Sequence, residues 1–423
     1  MRIVDKVKRK KWMIQALAQA SLAEKTSLTK GFLNKKQFYP TKKVQADITN
    51  LIYCMLCPNM CRFECPVVET SKIETHSPAI KSRIAYYLEM NLLDKSAETL
   101  QPLFEGCLHC SACKAWCPFD FAVGDLLEDV TVDLFQNLKK YPQKLQDFTI
   151  RIQTNNGLYQ KEQLKKATKL LHALPKEGEL YYFPGCVTMR NHPEVIEGII
   201  QIAKKAGVKL VSLTDEHVCC GAPSLYLGDQ EKAKELAKHN KELFKKSKAK
   251  AILCECPECA YTLKEKYPEL GSKVKLPVLH VVEWLWDLFE KEKLSFRFSN
   301  KKIEKILESG PISYHDPCVL SRKLHIYDQT YCLLATIFQE QFKEITYSKE
   351  QTHCCGFGGL VNIANHQLAD AIATKRLAEF QDEGIQTIIT SCPTCLYGFQ
   401  KNNPELTFEL FDLVEIVSKL MDD

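Results

Sequence analysis

The sequence predicts a multidomain chain of the mixed α+β and α/β type, in which a helical domain precedes two repeated Rossmann-like α/β domains that are rich in cysteine. Three observations support this class. The 20 cysteines among 423 residues fall into four groups. The last two groups repeat one five-cysteine spacing, and in both copies apolar runs of strand length alternate with helical stretches. Such alternation is typical of α/β units around a mostly parallel sheet.

Composition shifts along the chain predict five segments. A basic extension and a domain with two four-cysteine runs come first, followed by a helical connector that is rich in Leu, Lys and Gln. Two cysteine-rich domains complete the chain, and the polar stretch 298–310 separates them. The predicted bounds are 1–45, 46–125, 126–177, 178–300 and 311–423.

The two four-cysteine runs of the helical domain have metal-cluster spacing. The run CLHCSACKAWCP has the spacing of bacterial ferredoxins, in which three thiolates hold one [4Fe-4S] cubane and the fourth reaches the neighbouring cluster. The earlier run, CMLCPNMCRFECP, has one additional residue before its third cysteine. Two zinc sites are the alternative, because four thiolates also suit tetrahedral zinc. The crossover assigns Cys54, Cys57, Cys61 and Cys117 to one cubane, and Cys107, Cys110, Cys113 and Cys65 to the other.

Each cysteine-rich repeat places its cysteines after strand candidates. The runs ELYYFPGC and PISYHDPC lead into the first cysteine, VKLVSL and KEITYS precede the adjacent pair, and AKAILCEC and IQTIITSC lead to the CPxC pair. Since parallel strands end at one edge of their sheet, the thiols should converge there. The predicted ligands are Cys186, Cys219, Cys220, Cys256 and Cys259 in the first copy, and Cys318, Cys354, Cys355, Cys392 and Cys395 in the second.

The adjacent cysteine pairs restrict the kind of metal site. Two neighbouring side chains can both bind only a broad or multinuclear assembly, and a single ion seldom takes both. Gly221 and Gly356 directly follow the pairs, and a residue without Cβ permits close approach and unusual dihedral angles. The repeats therefore predict multinuclear iron-sulfur sites, with structural zinc as the alternative.

The order of these motifs resembles a known family. Each repeat resembles the cysteine-rich domain of heterodisulfide reductases, in which a single cysteine is followed after about thirty residues by CCG and after about thirty-five more by CxxC. The match includes HDPC at Cys318 and the following Arg322. The resemblance implies that each complete motif can hold a noncubane [4Fe-4S] cluster facing a disulfide substrate. Up to two such clusters would accompany the two cubanes. The order of domains over residues 46–423 is also similar to the iron-sulfur subunits of glycolate, lactate and anaerobic glycerol-3-phosphate dehydrogenases.

Two functions follow from this resemblance. In the first, the chain is an oxidoreductase within a complex and reduces a small thiol-disulfide with electrons that pass through the cubanes. In the second, it is an electron-transfer subunit of a flavin-linked dehydrogenase and has no substrate site of its own. The sequence shows no flavin, nicotinamide or phosphate-binding fingerprint. We therefore expect other redox subunits, either a membrane cytochrome b or a flavoprotein, as partners.

Three residues near the second repeat's cysteines are catalytic candidates: His315, His353 and Arg322. Imidazole titrates near neutral pH, so either histidine could protonate the thiolates released from a disulfide. Structural roles are the alternative for each of them. His217 has a similar position in the first repeat and is the weaker candidate.

Two cysteines lie outside the predicted ligand sets. Cys254 precedes Cys256 by two residues, and its counterpart in the second copy is Thr390. We expect Cys254 to be a packed strand residue, with a redox or ligand role as the alternative. Cys332 lies in the helical run YCLLATIF, and we expect it to be buried as an apolar side chain.

The N-terminal extension carries most of the basic excess. Residues 1–50 hold twelve Lys or Arg against three acidic residues, whereas the formal net charge of the whole chain is +5. The extension either contacts an anionic membrane surface or an acidic partner, or is a solvated lead-in. Cluster thiolates need reducing conditions, which favours a cytoplasmic protein that is free or peripheral on the inner face of the membrane. No basic stripe interleaved with aromatic residues indicates nucleic-acid binding.

Overall fold

A computed structural model describes most of the chain, namely residues 15, 18–33, 35–294, 296, 310–404 and 408–421. In this part, helices surround two separate parallel sheets, which confirms the mixed α/β multidomain class. Much of the predicted basic extension and most of the predicted boundary at 298–310 lie outside the described residues. Within the described part, no helix combines the length and apolar character needed to cross a membrane.

The N-terminal region that carries the two four-cysteine runs is helical. Asp47 accepts a hydrogen bond from the Asn50 amide, and Ser96 accepts one from the Thr99 amide, so that both residues cap helices. Apolar faces of the helices meet in one core that includes Leu51. The helices are α1 Leu22–Leu33, α2 Ile48–Leu56, α3 Pro66–Ser71, α4 Pro78–Glu89, α5 Ala97–Phe104, α6 Ala112–Ala115 and α7 Val123–Leu134.

The connector is helical, as its composition predicts. Pro142 directly precedes the helix α8 Gln143–Asn155, where a proline cannot interrupt the hydrogen-bond ladder. Asn156 ends that helix with a φ of 55°, in the left-handed region that asparagine tolerates. The helix α9 Lys165–His172 then leads into the first repeat.

The first repeat is built on a four-stranded parallel sheet with the order β2-β1-β3-β4. All three predicted strand runs are strands in the structure. The elements are β1 Leu180–Tyr182, α10 Cys186–Asn191, α11 Pro193–Lys205, β2 Leu210–Val211, α12 Ala222–Leu227, α13 Gln230–Lys246, β3 Ala251–Cys254, α14 Pro257–Tyr261, the π-helical turn Thr262–Lys266, α15 Tyr267–Glu269, β4 Val278–His280 and α16 Val281–Glu290.

The second repeat has a three-stranded parallel sheet with the order β5-β6-β7. The strand predicted over KEITYS, residues 343–348, was wrong, because only the preceding Phe342 forms an isolated bridge, to Ile312. The elements are β5 Ile312–His315, α17 Cys318–Arg322, α18 Asp328–Phe338, α19 Val361–Ala364, α20 His366–Asp382, β6 Thr387–Thr390, α21 Pro393–Lys401, β7 Glu409–Asp412 and α22 Leu413–Leu420.

The two repeats share an apolar core. Ile199 of α11 and Val417 of α22 both belong to this core, although they come from different repeats. The two helices pack so closely that a Cβ on Gly198 would lie 2.8 Å from Cγ1 of Val414. The repeats therefore hold a fixed relation, which positions their cysteines against each other.

Cys332 corrects one expectation from the sequence. It lies in α18 but is exposed, because its neighbours Leu333 and Leu334 form the buried face of that helix. Since helical side chains one and two positions apart point in different directions, the apolar run does not bury every member.

Replacing Cys332 by serine is expected to change the free energy of unfolding by less than about 0.5 kcal/mol, as for an ordinary surface position. The native protein should react with a thiol reagent at this position without losing iron. Mass spectrometry of the labelled protein, with Cys332→Ser as the matched control, checks both points. Protection of Cys332 in the native chain would contradict the exposed position.

Candidate functional site

All ten cysteines of the two five-cysteine motifs line one cavity of about 210 Å³. The chain delivers them in the same way in each repeat, because β1, β3, β5 and β6 all end just before a cysteine of a motif. The parallel sheets thus present their carboxyl-end loops to one space. The cavity cysteines are Cys186, Cys219, Cys220, Cys256, Cys259, Cys318, Cys354, Cys355, Cys392 and Cys395.

The thiols of this cavity are crowded. Sγ of Cys318 lies 3.9 Å from Sγ of Cys354, and the amide of Gly221 donates to Sγ of Cys219 at 3.5 Å. Contacts with the neighbouring thiols of Cys220 and Cys256, together with burial, raise the pKa of Cys259 well above its usual value. So many thiolates can be accommodated only beside a cationic group, since each one opposes ionisation of the others. This donor set fits a multinuclear iron-sulfur group.

The second ferredoxin-type set comes together around a smaller cavity. Cys107, Cys110 and Cys113 line a space of about 20 Å³, and Cys65 from the first run completes it. The chain therefore crosses over between the two runs in the manner that the spacing predicts. The amide of Val123 donates to Sγ of Cys113 at 3.4 Å, as backbone amides do near thiolates.

The first ferredoxin-type set is also close together. Burial raises the pKa of Cys61 to about 12, and the neighbouring thiols that add to this effect include Cys54, Cys117 and Cys57. Burial similarly raises the pKa of Cys54 to about 11, with Cys117 and Cys57 among its neighbours. Cys57, Cys61 and Cys117 remain partly exposed, so this set lies nearer the protein surface than the second set.

Lys81 is a member of the second cavity that the sequence does not reveal. Its side chain is 2% exposed, and its Nζ donates to the carbonyl of Gly106 at 2.6 Å. Burial would lower the pKa of Lys81, but the thiols of Cys107, Cys65 and their neighbours outweigh that effect and raise it. A buried cation therefore faces four thiols, which suits an anionic metal group.

Arg322 joins the ferredoxin-type region to the second repeat. Its Nε donates to the carbonyl of Cys110 at 2.7 Å, and its Nη1 donates to the carbonyls of Thr352 at 2.6 Å and Glu350 at 3.1 Å. The thiol of Cys354 lowers the pKa of Cys110, so the two side chains are neighbours. Arg322 does not line the ten-cysteine cavity, and its contacts favour a structural role over the predicted catalytic one.

The two catalytic histidine candidates also lie outside the cavity wall. Nδ1 of His353 is 2.7 Å from Oε1 of Glu379, and the ring stacks on Tyr347 with centroids 3.9 Å apart. His315 is fully buried at the end of β5, behind Cys355. Their roles as proton donors to a substrate stay predictions, and neither ring is placed to touch a molecule in the cavity.

The remaining sequence candidates lie in the first repeat. Both ring nitrogens of His217 lack a hydrogen-bond partner, and the ring packs on Phe183 with centroids 4.9 Å apart. Burial lowers the pKa of His217 to about 4, so this imidazole is neutral. Cys254 is fully buried at the end of β3, which confirms it as a packed strand residue.

The cavity wall is mainly apolar, with a few polar groups that the sequence did not single out. Glu258 lies between Cys256 and Cys259 and is close to the hydroxyl of Tyr226. The sequence could have singled out Glu258, because this acidic residue lies between the two cysteines of CPEC, where the second repeat has Thr394. The polar wall residues are Arg151, Tyr159, Tyr226, Glu258, Asn362, Thr394 and Tyr397.

Comparison with family models divides the chain in the same way as its cysteines. The model described as "4Fe-4S dicluster domain" matches residues 50–121. The model described as "Cysteine-rich domain" matches twice, at residues 180–264 and 312–400. Both matches indicate iron-sulfur clusters.

Curated proteins are similar to this chain over most of its length. A subunit of the dihydromethanophenazine:CoB--CoM heterodisulfide reductase of Methanosarcina mazei is 28% identical over 335 residues, which cover 75% of this chain and 77% of the relative. The corresponding subunit from Methanosarcina barkeri is 26% identical, with equal coverage. "Probable glycolate oxidase iron-sulfur subunit" of Bacillus subtilis is 25% identical and covers 85% of this chain and 91% of the relative.

Proposed function

We propose that this chain reduces a disulfide within a redox complex. The premise is that it belongs to the family of iron-sulfur proteins in which a dicluster domain precedes two cysteine-rich domains. The observation that carries the proposal is the single cavity lined by all ten cysteines of the two repeats. A protein that only relays electrons needs no pair of complete five-cysteine sets that face one common space.

The proposed cofactors follow from the donor sets. Two cubanes would be held by the crossed ferredoxin-type sets, and up to two noncubane [4Fe-4S] clusters by the five-cysteine sets, in two Rossmann-like domains. When bound, such groups supply electrons one at a time. Contact between Cys110 and Cys354, reinforced by Arg322, supports entry of electrons into the second repeat from the ferredoxin-type region.

The reaction must balance two electrons and two protons. The S–S bond of the substrate breaks, each sulfur gains one electron, and each resulting thiolate takes up a proton. The wall residues Glu258 and Tyr226 face the space in which those thiolates would form. Apolar residues such as Phe148 and Ile363 line the same space and would exclude water from it.

Electrons must come from other subunits, for which we propose a membrane cytochrome b or a flavoprotein. The first ferredoxin-type set has three partly exposed cysteines, which makes it the candidate entry point. Contact of the basic extension with a membrane surface is a further proposal, and its residues lie largely outside the described part of the chain.

The second candidate function is a relay for a flavin-linked dehydrogenase. The glycolate oxidase iron-sulfur relative favours it, because the similarity extends over 91% of that protein. In this alternative, the ten-cysteine cavity binds no substrate, and the chain passes electrons away from a separate flavoprotein.

Disulfide reduction by the isolated chain separates the two functions. The anaerobically purified protein is expected to contain about sixteen iron atoms, if four four-iron clusters are bound. After reduction by a one-electron dye, it should convert small disulfides into two thiols each and show a changed paramagnetic spectrum. A protein with full iron that oxidises the dye but yields no thiol, with no spectral change, would instead support the relay.

A matched pair of variants tests the role of the cavity. Ile363→Trp is expected to fill the cavity and to reduce thiol formation at least tenfold with iron retained, because Ile363 lies on the wall and outside the cysteine motifs. Ile150→Trp introduces the same side chain at an exposed position and should have no such effect. Equal activities of the two variants would contradict the proposed location of the substrate.

A further inference from the structure

His315 and Phe183 occupy the same place in the two repeats. Each lies three residues before the first cysteine of its motif. His315 pairs with Thr390 in the register of β5 and β6, and the register of β1 and β3 places Phe183 opposite Cys254. Thr390 and Cys254 in turn both lie two residues before the CPxC pair. The repeats therefore differ at an equivalent buried position, where one has an imidazole and the other a phenyl ring.

Arg376 determines which nitrogen of the His315 ring carries the proton. Nε of Arg376 donates to Nδ1 of His315 at 3.4 Å. A guanidinium is always protonated and can only donate, so Nδ1 must accept with its lone pair. The proton of the neutral ring is therefore on Nε2.

The ring of His315 lies beside two cysteines of the second site. Nε2 of His315 has no hydrogen-bond partner within the described part of the chain, and a ring nitrogen lies within 4.8 Å of the sulfur atoms of Cys355 and Cys395. The sulfur of Cys355 is therefore a close neighbour of the ring. Because Nε2 carries a proton, it cannot bind a metal through that nitrogen, and its N–H is available to a sulfur atom of the second site.

The surroundings reinforce this difference between the repeats. Arg376 is 1% exposed. Its Nη1 donates to Glu379 at 2.6 Å and its Nη2 to the carbonyl of Tyr347 at 2.8 Å, and these hydrogen bonds hold the guanidinium next to His315. In the first repeat, the buried residue at the corresponding point of the helix is Asn240, which donates to the carbonyl of Cys219 at 2.9 Å. At these two positions the second site thus has an imidazole and a guanidinium, whereas the first has a phenyl ring and an uncharged amide.

We propose that His315 is a positioning residue that donates a hydrogen bond to the Cys355 thiolate and makes the second five-cysteine site easier to reduce than the first. Reduction adds negative charge, which an N–H donor to a ligand sulfur stabilises. Phe183 offers no donor at the first site. The two sites therefore differ in affinity for an electron, and the second, which adjoins Cys110, is reduced first. This inference rests on the proposed occupation of both sites by iron-sulfur groups.

Potentiometric titration of the full chain, isolated anaerobically with its clusters, tests the inference. Paramagnetic signals are assigned to each site with Cys259→Ala and Cys395→Ala proteins. His315→Phe is expected to shift the reduction equilibrium of the second site about tenfold toward the oxidised form, which is about 59 mV for one electron. His315→Gln keeps an N–H donor, so the potential of the second site should stay close to that of the unmodified protein. Phe183→His should raise the potential of the first site.

Each result supports or overturns the inference. Unchanged potentials in His315→Phe with both signals present, or equal shifts at both sites, would overturn it. If His315→Phe loses iron, the test depends on His315→Gln and Phe183→His. An unchanged potential of the first site in Phe183→His would then overturn the inference. Absence of an iron-sulfur signal from both sites of the unmodified chain would overturn the proposed function as well, and iron analysis distinguishes that result from unchanged potentials.

Discussion

Replacing Lys81 by methionine is expected to shift the reduction equilibrium of the second ferredoxin-type set at least tenfold toward the oxidised form, a fall in potential of about 59 mV or more. Lys81 is the buried cation among Cys65, Cys107, Cys110 and Cys113. Methionine keeps the apolar stem and removes the charge. The reduced group then loses the positive charge that balances its additional electron, in surroundings where water screens little.

The same substitution should also weaken the fold. Without the Nζ donor, the carbonyl of Gly106 loses its hydrogen bond at 2.6 Å, and an unsatisfied buried acceptor costs about 1–3 kcal/mol. Some loss of iron is therefore expected together with the fall in potential. Potentiometric titration and iron analysis of the same anaerobic sample measure the two effects separately.

Lys114→Met is the matched control, because it removes a lysine charge next to Cys113 at an exposed position. Solvent screens such a charge, so the potential should change little. If Lys81→Met and Lys114→Met shift the potential equally, or if neither does, the buried charge of Lys81 does not set the potential.

The sequence could predict which cysteines come together, because their spacing reflects the geometry that metal clusters require. The same spacing predicted that Cys65 lies with the second run and Cys117 with the first, which is where the structure places them. Lys81 could not be predicted, since a lysine in a helix such as PAIKSRIAYYLE, next to residues of alternating polarity, is usually solvated. Its burial depends on the carbonyl of Gly106, which comes from a distant part of the chain.

The strand predicted at residues 343–348 shows a different limit. Its β-branched and aromatic residues favour a pleated strand, yet propensity for strands mainly measures a fit to half-buried surfaces. Ile345 is 3% exposed and obtains that burial by packing against the second repeat without a strand ladder. The position of the proton on the His315 ring could not be predicted either, because it depends on Arg376, which lies 61 residues away in the sequence.

Gly356→Ala is expected to destabilise the second repeat by about 3 kcal/mol or more, through overpacking and strain in the backbone. Gly356 directly follows Cys355 and has a φ of 88°, a value that residues with a Cβ rarely adopt. A Cβ at this position would lie 2.5 Å from the carbonyl oxygen of Ala369 and 2.9 Å from Cβ of Ile372. Neither atom belongs to a flexible side-chain end, so the helix α20 or the cysteine pair must move.

Gly221→Ala is the matched control in the first repeat. Gly221 has a similar φ of 96°, but the nearest atom to an added Cβ would be 3.6 Å away, at ordinary contact distance. Its cost should be limited to the backbone strain, about 1–2 kcal/mol. We expect Gly356→Ala to lose iron from the second site and Gly221→Ala to retain iron at the first, as measured by iron content and denaturant unfolding. Equal losses would mean that φ alone, rather than the close approach of α20, requires the glycine after each cysteine pair.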